Sequence, residues 1–276
     1  MKLCEQKHLT YIHGFNDPYV IAGQGTMGIE IMEQVPDVDA VLIPVGGGGL
    51  IAGMATAIKS INPKVQIIGV EPSQMPLLCQ SLERGSPVTL PTVPTLADGL
   101  AVGCMGTLSL ATAALYVDRV VQVTEAHLAL AILRLLELEK AVVEGAGASG
   151  LAALLSGQLQ ELQGKNVVIP LCGGNIDPLV LRRVIEFGMT VDRRLCRLNV
   201  TISDRPGGLA GLTSVLANCG ASIQDIRHER IFAGPDVNRV LVQTILEVRN
   251  SDHLQVVVDT LLDKGFTVQV QPDESL

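Results

Sequence analysis

Residues 41–53 read VLIPVGGGGLIAG, an apolar run, four consecutive glycines and a second apolar run. Around that turn, AVLIPV (40–45) has the unbroken hydrophobicity and short length of a strand covered on both faces, and LIAGMATAIKSI (50–61) the small-residue composition of a closely packed helix. VQIIGVEP (65–72) and VVIPLCGG (167–174) repeat the strand pattern, each ending at a glycine or a polar turn. Helical stretches lie between them, over 125–140 behind Thr124 as N-cap and over 150–160. Strands alternating with helices predict an α/β layered domain on a parallel sheet. The uncharged stretch 40–58 approaches membrane-spanning length, but Pro44 and the glycines would break a spanning helix at its middle. The N-terminal MKLCEQKHLTY lacks the apolar core of a secretory signal.

Composition narrows the class further. Of 276 residues, 47% are hydrophobic and 17% charged, which is enough apolar material for one large core or two modest ones. Twenty basic against 28 acidic side chains give a formal net charge of −8, without a dense Lys/Arg cluster, so nucleic acid is not an expected partner. The six cysteines are widely spaced and form no C-x-x-C pair, a pattern of reduced thiols in a cytoplasmic protein rather than of a disulfide framework or a zinc site.

After Arg194 the pattern changes. LCRLNVTISD (195–204) alternates, GGLAGLTSVLANCG (207–220) reads as a helix closing on Gly220, and ASIQDIRHERI (221–231) alternates again. RVLVQTILEVRN (239–250) is a third strand, SDHLQVVVDTLLDKG (251–265) a helix with Ser251 as its cap, and FTVQVQ (266–271) a last strand. The order βαββαβ is the split ferredoxin-like arrangement. Two domains are therefore expected, 1–194 and 195–276.

One or two glycines suffice for an ordinary strand-to-helix turn. Four in succession, at the carboxyl end of a buried strand and just before a helix, let several N–H groups converge on one spot with no Cβ in the way, a nest for an anion such as phosphate. The pattern is neither G-x-x-x-x-G-K-[ST] nor G-x-G-x-x-G, which disfavours a nucleotide and leaves a phosphorylated cofactor.

VIAGQGTMGIEI (20–31), PVGGGGLIAG (44–53), GVEPSQ (69–74), TLADGLAV (95–102), VVEGAGASG (142–150) and PLCGGNID (170–177) follow one another in the order and wording of the serine/threonine dehydratases. Over nearly all of 10–190 the chain resembles this family of pyridoxal 5'-phosphate enzymes, whose fold, type II, includes the tryptophan synthase β chain. The tail, with SDRPGGLAGL (203–212), resembles an ACT domain, the amino-acid-sensing module attached to many threonine dehydratases. The resemblance implies that Gly46, Gly47, Gly48 and Gly49 cradle the cofactor phosphate, that Cys172 meets the pyridine nitrogen, and that Glu144 lies close to the ring. A neutral thiol at that nitrogen would leave it largely unprotonated. Taken alone, Cys172 also reads as a small buried hydrophobe and Glu144 as a capping or ion-paired glutamate. Glu71 matches the first ligand of a cation site found in some relatives, but the acidic partner expected a few residues later falls at Leu77, so no metal is expected. In the tail, Asp204, Gly207 and Gly208 lie in the loop before a helix N-terminus and are the expected effector-binding residues; a plain turn in a dimerising domain is the other reading.

The family's chemistry requires a lysine for the internal Schiff base, in an S-x-K-x-R-G context, and an S-x-G-N-H/x-A loop for the substrate carboxylate. None of the seven lysines, Lys2, Lys7, Lys59, Lys64, Lys140, Lys165 and Lys264, has that context. The expectation is a form lacking the N-terminal part of the catalytic domain, as a truncated product, an isoform or a partial gene model. It would hold the cofactor's phosphate yet show little or no deaminase activity, with uncovered apolar surface that favours a homo-oligomer or association with full-length subunits. The first functional reading is a lyase converting threonine or serine to a 2-oxo acid and ammonia under amino-acid control. The second is a non-catalytic sensing or assembly chain built on the ACT module. A β-replacement enzyme like cysteine synthase shares the fold, but its loop typically resembles GTGGT rather than GGGGLIAG.

Overall fold

The computed structural model describes residues 2–230 and 238–271, with side chains from Cys4 onward. The chain forms two compact units, Met1–Pro178 and Leu179–Leu276.

In the first unit, α1 (Lys2–Lys7) is followed by α2 (Pro18–Gln34), β1 (Ala40–Pro44), α3 (Gly49–Ile61), β2 (Gln66–Pro72) and α4 (Leu77–Arg84). Then come α5 (Thr107–Tyr116), β3 (Arg119–Val123), α6 (Glu125–Arg134), α7 (Gly145–Leu155) and β4 (Val167–Val168). The sheet order is β3-β2-β1-β4, and its pairs are parallel, with Ala40 opposite Gln66 and Val167, and Ile68 opposite Arg119. β1 is buried at every position and β2 at all but its first, the unbroken burial that a parallel sheet covered on both faces imposes. Ile43, Ile51, Met54, Ile58, Ile67 and Leu78 form the centre of its core. Residues 40–58 are thus strand, turn and helix, and among the described residues no helix is long and apolar enough to cross a membrane.

Helix α2 starts where Asp17 accepts the N–H groups of Tyr19 and Val20 and Pro18 occupies the first turn. It lies against α3 so closely that a Cβ on Gly53 would stand 2.2 Å from the Ile21 carbonyl oxygen. Thr124 caps α6 as expected, in a reciprocal arrangement with His127, whose Nδ1 accepts the Thr124 N–H. The α-helix stops at Arg134, short of residue 140, and continues as a π turn over Leu135–Glu139. The helix expected over 150–160 instead begins at Gly145 and ends at Leu155. The strand expected over 167–174 keeps only Val167 and Val168, because Pro170 has no N–H to offer a ladder. That short strand is pinned at its start, where Asn166 N–H donates to Asp39 Oδ2 at 2.8 Å and the Asp39 N–H donates to the Asn166 carbonyl at 2.8 Å.

The second unit contains α8 (Pro178–Val191, its first residue belonging to the first unit), β5 (Leu195–Ser203), α9 (Gly208–Asn218), β6 (Ser222–Glu229), β7 (Arg239–Glu247), α10 (Ser251–Asp263) and β8 (Thr267–Val270). Its antiparallel sheet has the order β6-β7-β5-β8, so the expected βαββαβ unit is present. β5 and β7 bury alternate residues, which places Leu198, Val200, Val242 and Leu246 against Leu212, Leu216, Val257 and Leu261 of the two covering helices. The cap of α10 is Asn250, whose Oδ1 accepts the His253 N–H at 2.9 Å; Ser251 is the first helical residue instead. The last residue of the expected third strand, Asn250, is therefore helix cap rather than ladder.

Thr244 occupies a core-facing position of β7, fully buried, and its hydroxyl has no hydrogen-bond partner among the described residues. An apolar isostere removes that desolvated hydroxyl, so Thr244→Val is expected to stabilise the second unit by about 1 kcal/mol, read as a higher denaturant midpoint. A lower midpoint would mean that the hydroxyl is satisfied.

Candidate functional site

The turn after β1 is buried throughout glycines 46–49. Each is small for a specific reason. A Cβ on Gly46 would lie 3.1 Å from Leu100 Cα, and one on Gly48, whose φ is +90°, would lie 2.3 Å from Met105 Cε and 2.9 Å from Ser109 Cβ. At Gly47 it would fall within 2.4 to 2.5 Å of the Phe15 ring, and at Gly49 within 2.8 Å of Phe15 Cα. Phe15 belongs to a strap, residues 13–16, that the reading of the sequence missed. His13 Nδ1 accepts the Phe15 and Asn16 N–H groups, Asn16 Oδ1 accepts the Leu108 N–H at the start of α5, and Ser109 Oγ donates to the Phe15 carbonyl at 2.7 Å. The sequence cue is HGFND (13–17), polar residues around a lone aromatic before a helix cap.

Packing explains why the positions are glycine, and hydrogen bonding shows what the turn leaves open. Among the described residues, the N–H groups of six consecutive residues, Gly46, Gly47, Gly48, Gly49, Leu50 and Ile51, have no acceptor within the chain; the first satisfied amide is that of Ala52, bonded to the Gly48 carbonyl at 3.0 Å. Buried N–H groups are rarely left so, and here they gather at a helix N-terminus, where backbone and dipole both favour an anion. The turn fits a phosphate.

Cys172 comes to the same end of the sheet as the glycine turn, because β4 neighbours β1 and both run parallel, so the segments leaving their carboxyl ends lie side by side; Glu144, just before α7, is hydrogen-bonded to Gly173 and Asn175 of the same segment. Cys172 is half-buried, its Sγ 3.6 Å from the Pro170 carbonyl and 4.0 Å from Met27 Sδ. Burial pushes its thiol pKa up, and the Glu144 charge adds to the shift, so the thiol is held neutral. Glu144 is joined to the glycine turn through the 95–102 loop: Leu100 lies against Gly46, and a Cβ on Gly99 would stand 3.6 Å from Glu144 Oε1. The residues present therefore fit the phosphate and the ring-nitrogen contact of pyridoxal phosphate.

Among the described residues none supplies an amine there; the Lys2 side chain lies outside them. Lys59 lies at the far end of α3, roughly 15 Å from the glycine turn at 1.5 Å per residue, and is bonded to Asp118 and the Pro63 carbonyl. Lys64 and Lys165 precede β2 and β4, at the end of the sheet opposite the turn. Lys140 donates to the Glu137 carbonyl, Lys7 sits on exposed α1, and Lys264 belongs to the second unit.

Glu71 is fully buried and accepts two N–H groups at the start of α4, Leu78 on Oε2 at 2.8 Å and Cys79 on Oε1 at 3.2 Å. Pro76, at the cap position, has no side chain able to do this, so Glu71 caps α4 from the neighbouring strand. Burial pushes its pKa up to about 7, against the two N–H donors that favour the charged form. Among the described residues no group of three potential ligands could hold a metal ion.

In the second unit, the loop after β5 is shaped by its own contacts. Asp204 accepts the Arg230 guanidinium at 3.1 and 3.2 Å, Gly207 (φ +95°) caps α9, and a Cβ on Gly208 would meet the Ser203 carbonyl at 2.2 Å. His228 lies exposed near the end of β6, and Arg230, just beyond it, turns to Asp204.

The sequence profile described as "Pyridoxal-phosphate dependent enzyme" matches residues 1–173, and that described as "ACT domain" matches 193–263. The chain is 42% identical over 270 residues to an L-threonine ammonia-lyase of Thermotoga maritima, covering 98% of this chain and 67% of that protein, and 43% identical over 266 residues to one of Geobacter sulfurreducens, covering 96% and 66%. Among solved structures it is similar to the processed form of threonine deaminase isoform 2 from Solanum lycopersicum, at a TM-score of 0.65 and 40% identity over 67% of this chain and 55% of that one. The chain thus spans about two thirds of the length of these curated relatives and little more than half of that solved chain. A nest of free amides after the first strand, a neutral thiol after the fourth and a profile match across most of the first unit agree that the chain belongs to the pyridoxal-phosphate dependent enzymes, beside the threonine ammonia-lyases, with an ACT domain following.

Proposed function

We propose that the chain serves a threonine or serine ammonia-lyase that yields a 2-oxo acid and ammonia, and that within it these residues hold the cofactor while the ACT domain senses an amino acid. The observation that carries the reading is the row of six unbonded amides at the start of α3. When bound, pyridoxal phosphate supplies the electron sink for losing the α-proton and the β-hydroxyl. The turn fixes the phosphate, the strap of residues 13–16 lies across the turn as a wall, and Cys172 offers a neutral thiol to the ring. The amine that must bond the cofactor comes from outside the residues at this site. The effector assignment to Asp204, Gly207 and Gly208, the functional boundary at 194/195, a cytoplasmic setting and assembly with itself or with full-length subunits belong to the same proposal.

Purified chain supplied with pyridoxal phosphate and threonine is expected to bind the cofactor, in competition with inorganic phosphate, and to release little or no ammonia or 2-oxobutanoate. Steady-state product formation would show that an amine within the chain reaches the site. Failure to bind phosphate or cofactor at all, with amino-acid binding retained, would favour a non-catalytic sensing chain, the second reading.

A further inference from the structure

Glu144 is placed to grip the turn that carries Cys172. Its backbone N–H donates to the Gly173 carbonyl at 3.1 Å, and its carboxylate Oε2 accepts the Asn175 N–H at 2.8 Å. The side chain lies in a slot bounded by two glycines: a Cβ on Gly173 would stand 2.6 Å from Oε1 and 2.7 Å from the carboxyl carbon, and one on Gly99 3.6 Å from Oε1. Residue 144 therefore holds the four-residue turn 172–175 at two points, donating to Gly173 within it and accepting from Asn175 at its end, and at least one of its oxygens is spent on the protein's own backbone. Asn175 is the only described residue that donates a hydrogen bond to that carboxylate.

We propose that Glu144 is a positioning residue rather than a cofactor ligand: it clamps the turn of residues 172–175 so that the Cys172 thiol is presented where the ring nitrogen is to sit. A backbone turn with three glycine or small positions in a row, Gly173, Gly174 and Asn175 among them, has many conformations available, and two hydrogen bonds from one rigidly placed residue at the start of α7 select one. Burial raises the Cys172 pKa, and the Glu144 carboxylate adds to that shift, opposing thiolate formation. The proposal rests on reading Cys172 as the ring-nitrogen contact, but its test needs no cofactor, so the two can fail separately.

The test compares the parent chain with Glu144→Gln, Glu144→Ala and Gly173→Ala, all without cofactor. Alkylation of Cys172 by iodoacetamide is followed against pH by peptide mass spectrometry, which separates it from the other five cysteines. Glu144→Gln keeps the shape and an acceptor but removes the charge, so the midpoint of the Cys172 profile is expected to move to lower pH while the Asn175 amide stays protected from hydrogen exchange. Glu144→Ala is expected to speed Asn175 exchange by roughly tenfold to a hundredfold, the loss of a charge-assisted hydrogen bond, and Gly173→Ala to do so both by pushing the carboxylate out with its new Cβ and by straining a backbone at φ +153°. A glutamate that serves folding alone would leave the Cys172 midpoint of the Gln variant where it was, and that result would overturn the proposal. So would unchanged Asn175 exchange in Glu144→Ala. Should the Ala variant fail to fold, the Cys172 midpoint of the Gln variant decides alone, because Gly173 stands at φ +153° and its alanine variant disturbs the turn by itself.

Discussion

Gly48→Ala is expected to weaken binding of inorganic phosphate and of pyridoxal phosphate by at least about a hundredfold. At φ +90° the new methyl is strained whatever the surroundings, and it would also lie 2.3 Å from Met105 Cε and 2.9 Å from Ser109 Cβ. Met105 can swing away, but Ser109 is tied to Phe15 and cannot, so the turn itself must rotate. Rotation re-aims the amides of residues 48 and 49. Each charge-assisted hydrogen bond is worth about 1.5 to 3 kcal/mol, so losing two accounts for two to four orders of magnitude in affinity. Gly157→Ala is the control: its φ is +73°, nothing lies within 4 Å of the added Cβ, and it is expected to cost about 1 kcal/mol of stability with phosphate binding intact. Titration calorimetry with phosphate decides the matter. Equal affinity of parent and Gly48→Ala would remove the cradle from the glycine turn.

The second large effect concerns Glu71 and pH. Its pKa is about 7 when folded and near the ordinary carboxylate value of 4.5 when unfolded. Between those values the folded chain keeps a proton that the unfolded chain has released, so the contribution of Glu71 to stability is fully present below about pH 4.5, falls as pH rises and is lost above about 7. The loss amounts to about 3 kcal/mol for a group this deeply buried. Glu71→Gln carries no ionisable group, so the gap between parent and variant in urea unfolding is expected to shift by about 3 kcal/mol across that window, to the variant's advantage at high pH. A gap independent of pH would mean that the carboxylate stays ionised throughout, held by the Leu78 and Cys79 amides.

Much of the fold is legible where the information is local. β1, the turn and α3 follow from one apolar run, four glycines and a second run, and the alternation of β5 and β7 follows from burying one face of an antiparallel sheet. Helix α2 is harder to see because Gly25 and Gly28 interrupt the face that it packs with Met27, Ile31 and Met32. At α10, Asn250 and Ser251 are adjacent residues of equal capping ability, and only the geometry selects the first. The site divides in the same way. The glycine nest can be argued from residues alone, whereas Cys172 and Glu144 are ordinary until a family pattern singles them out. The strap over the turn joins Phe15 to Ser109 across 94 residues, and no local pattern encodes such a contact.

The seam between Asp39 and Asn166 closes a loop of 127 residues, the widest separation of any strand pair in that sheet. Chain-closure entropy delays a pairing of that span behind the β1–β2 pairing, and only two ladder residues reward it once made. The fourth strand should accordingly zip on last during refolding and detach first under denaturant. The cofactor pocket then matures as the closing event of assembly, after the rest of the scaffold has set.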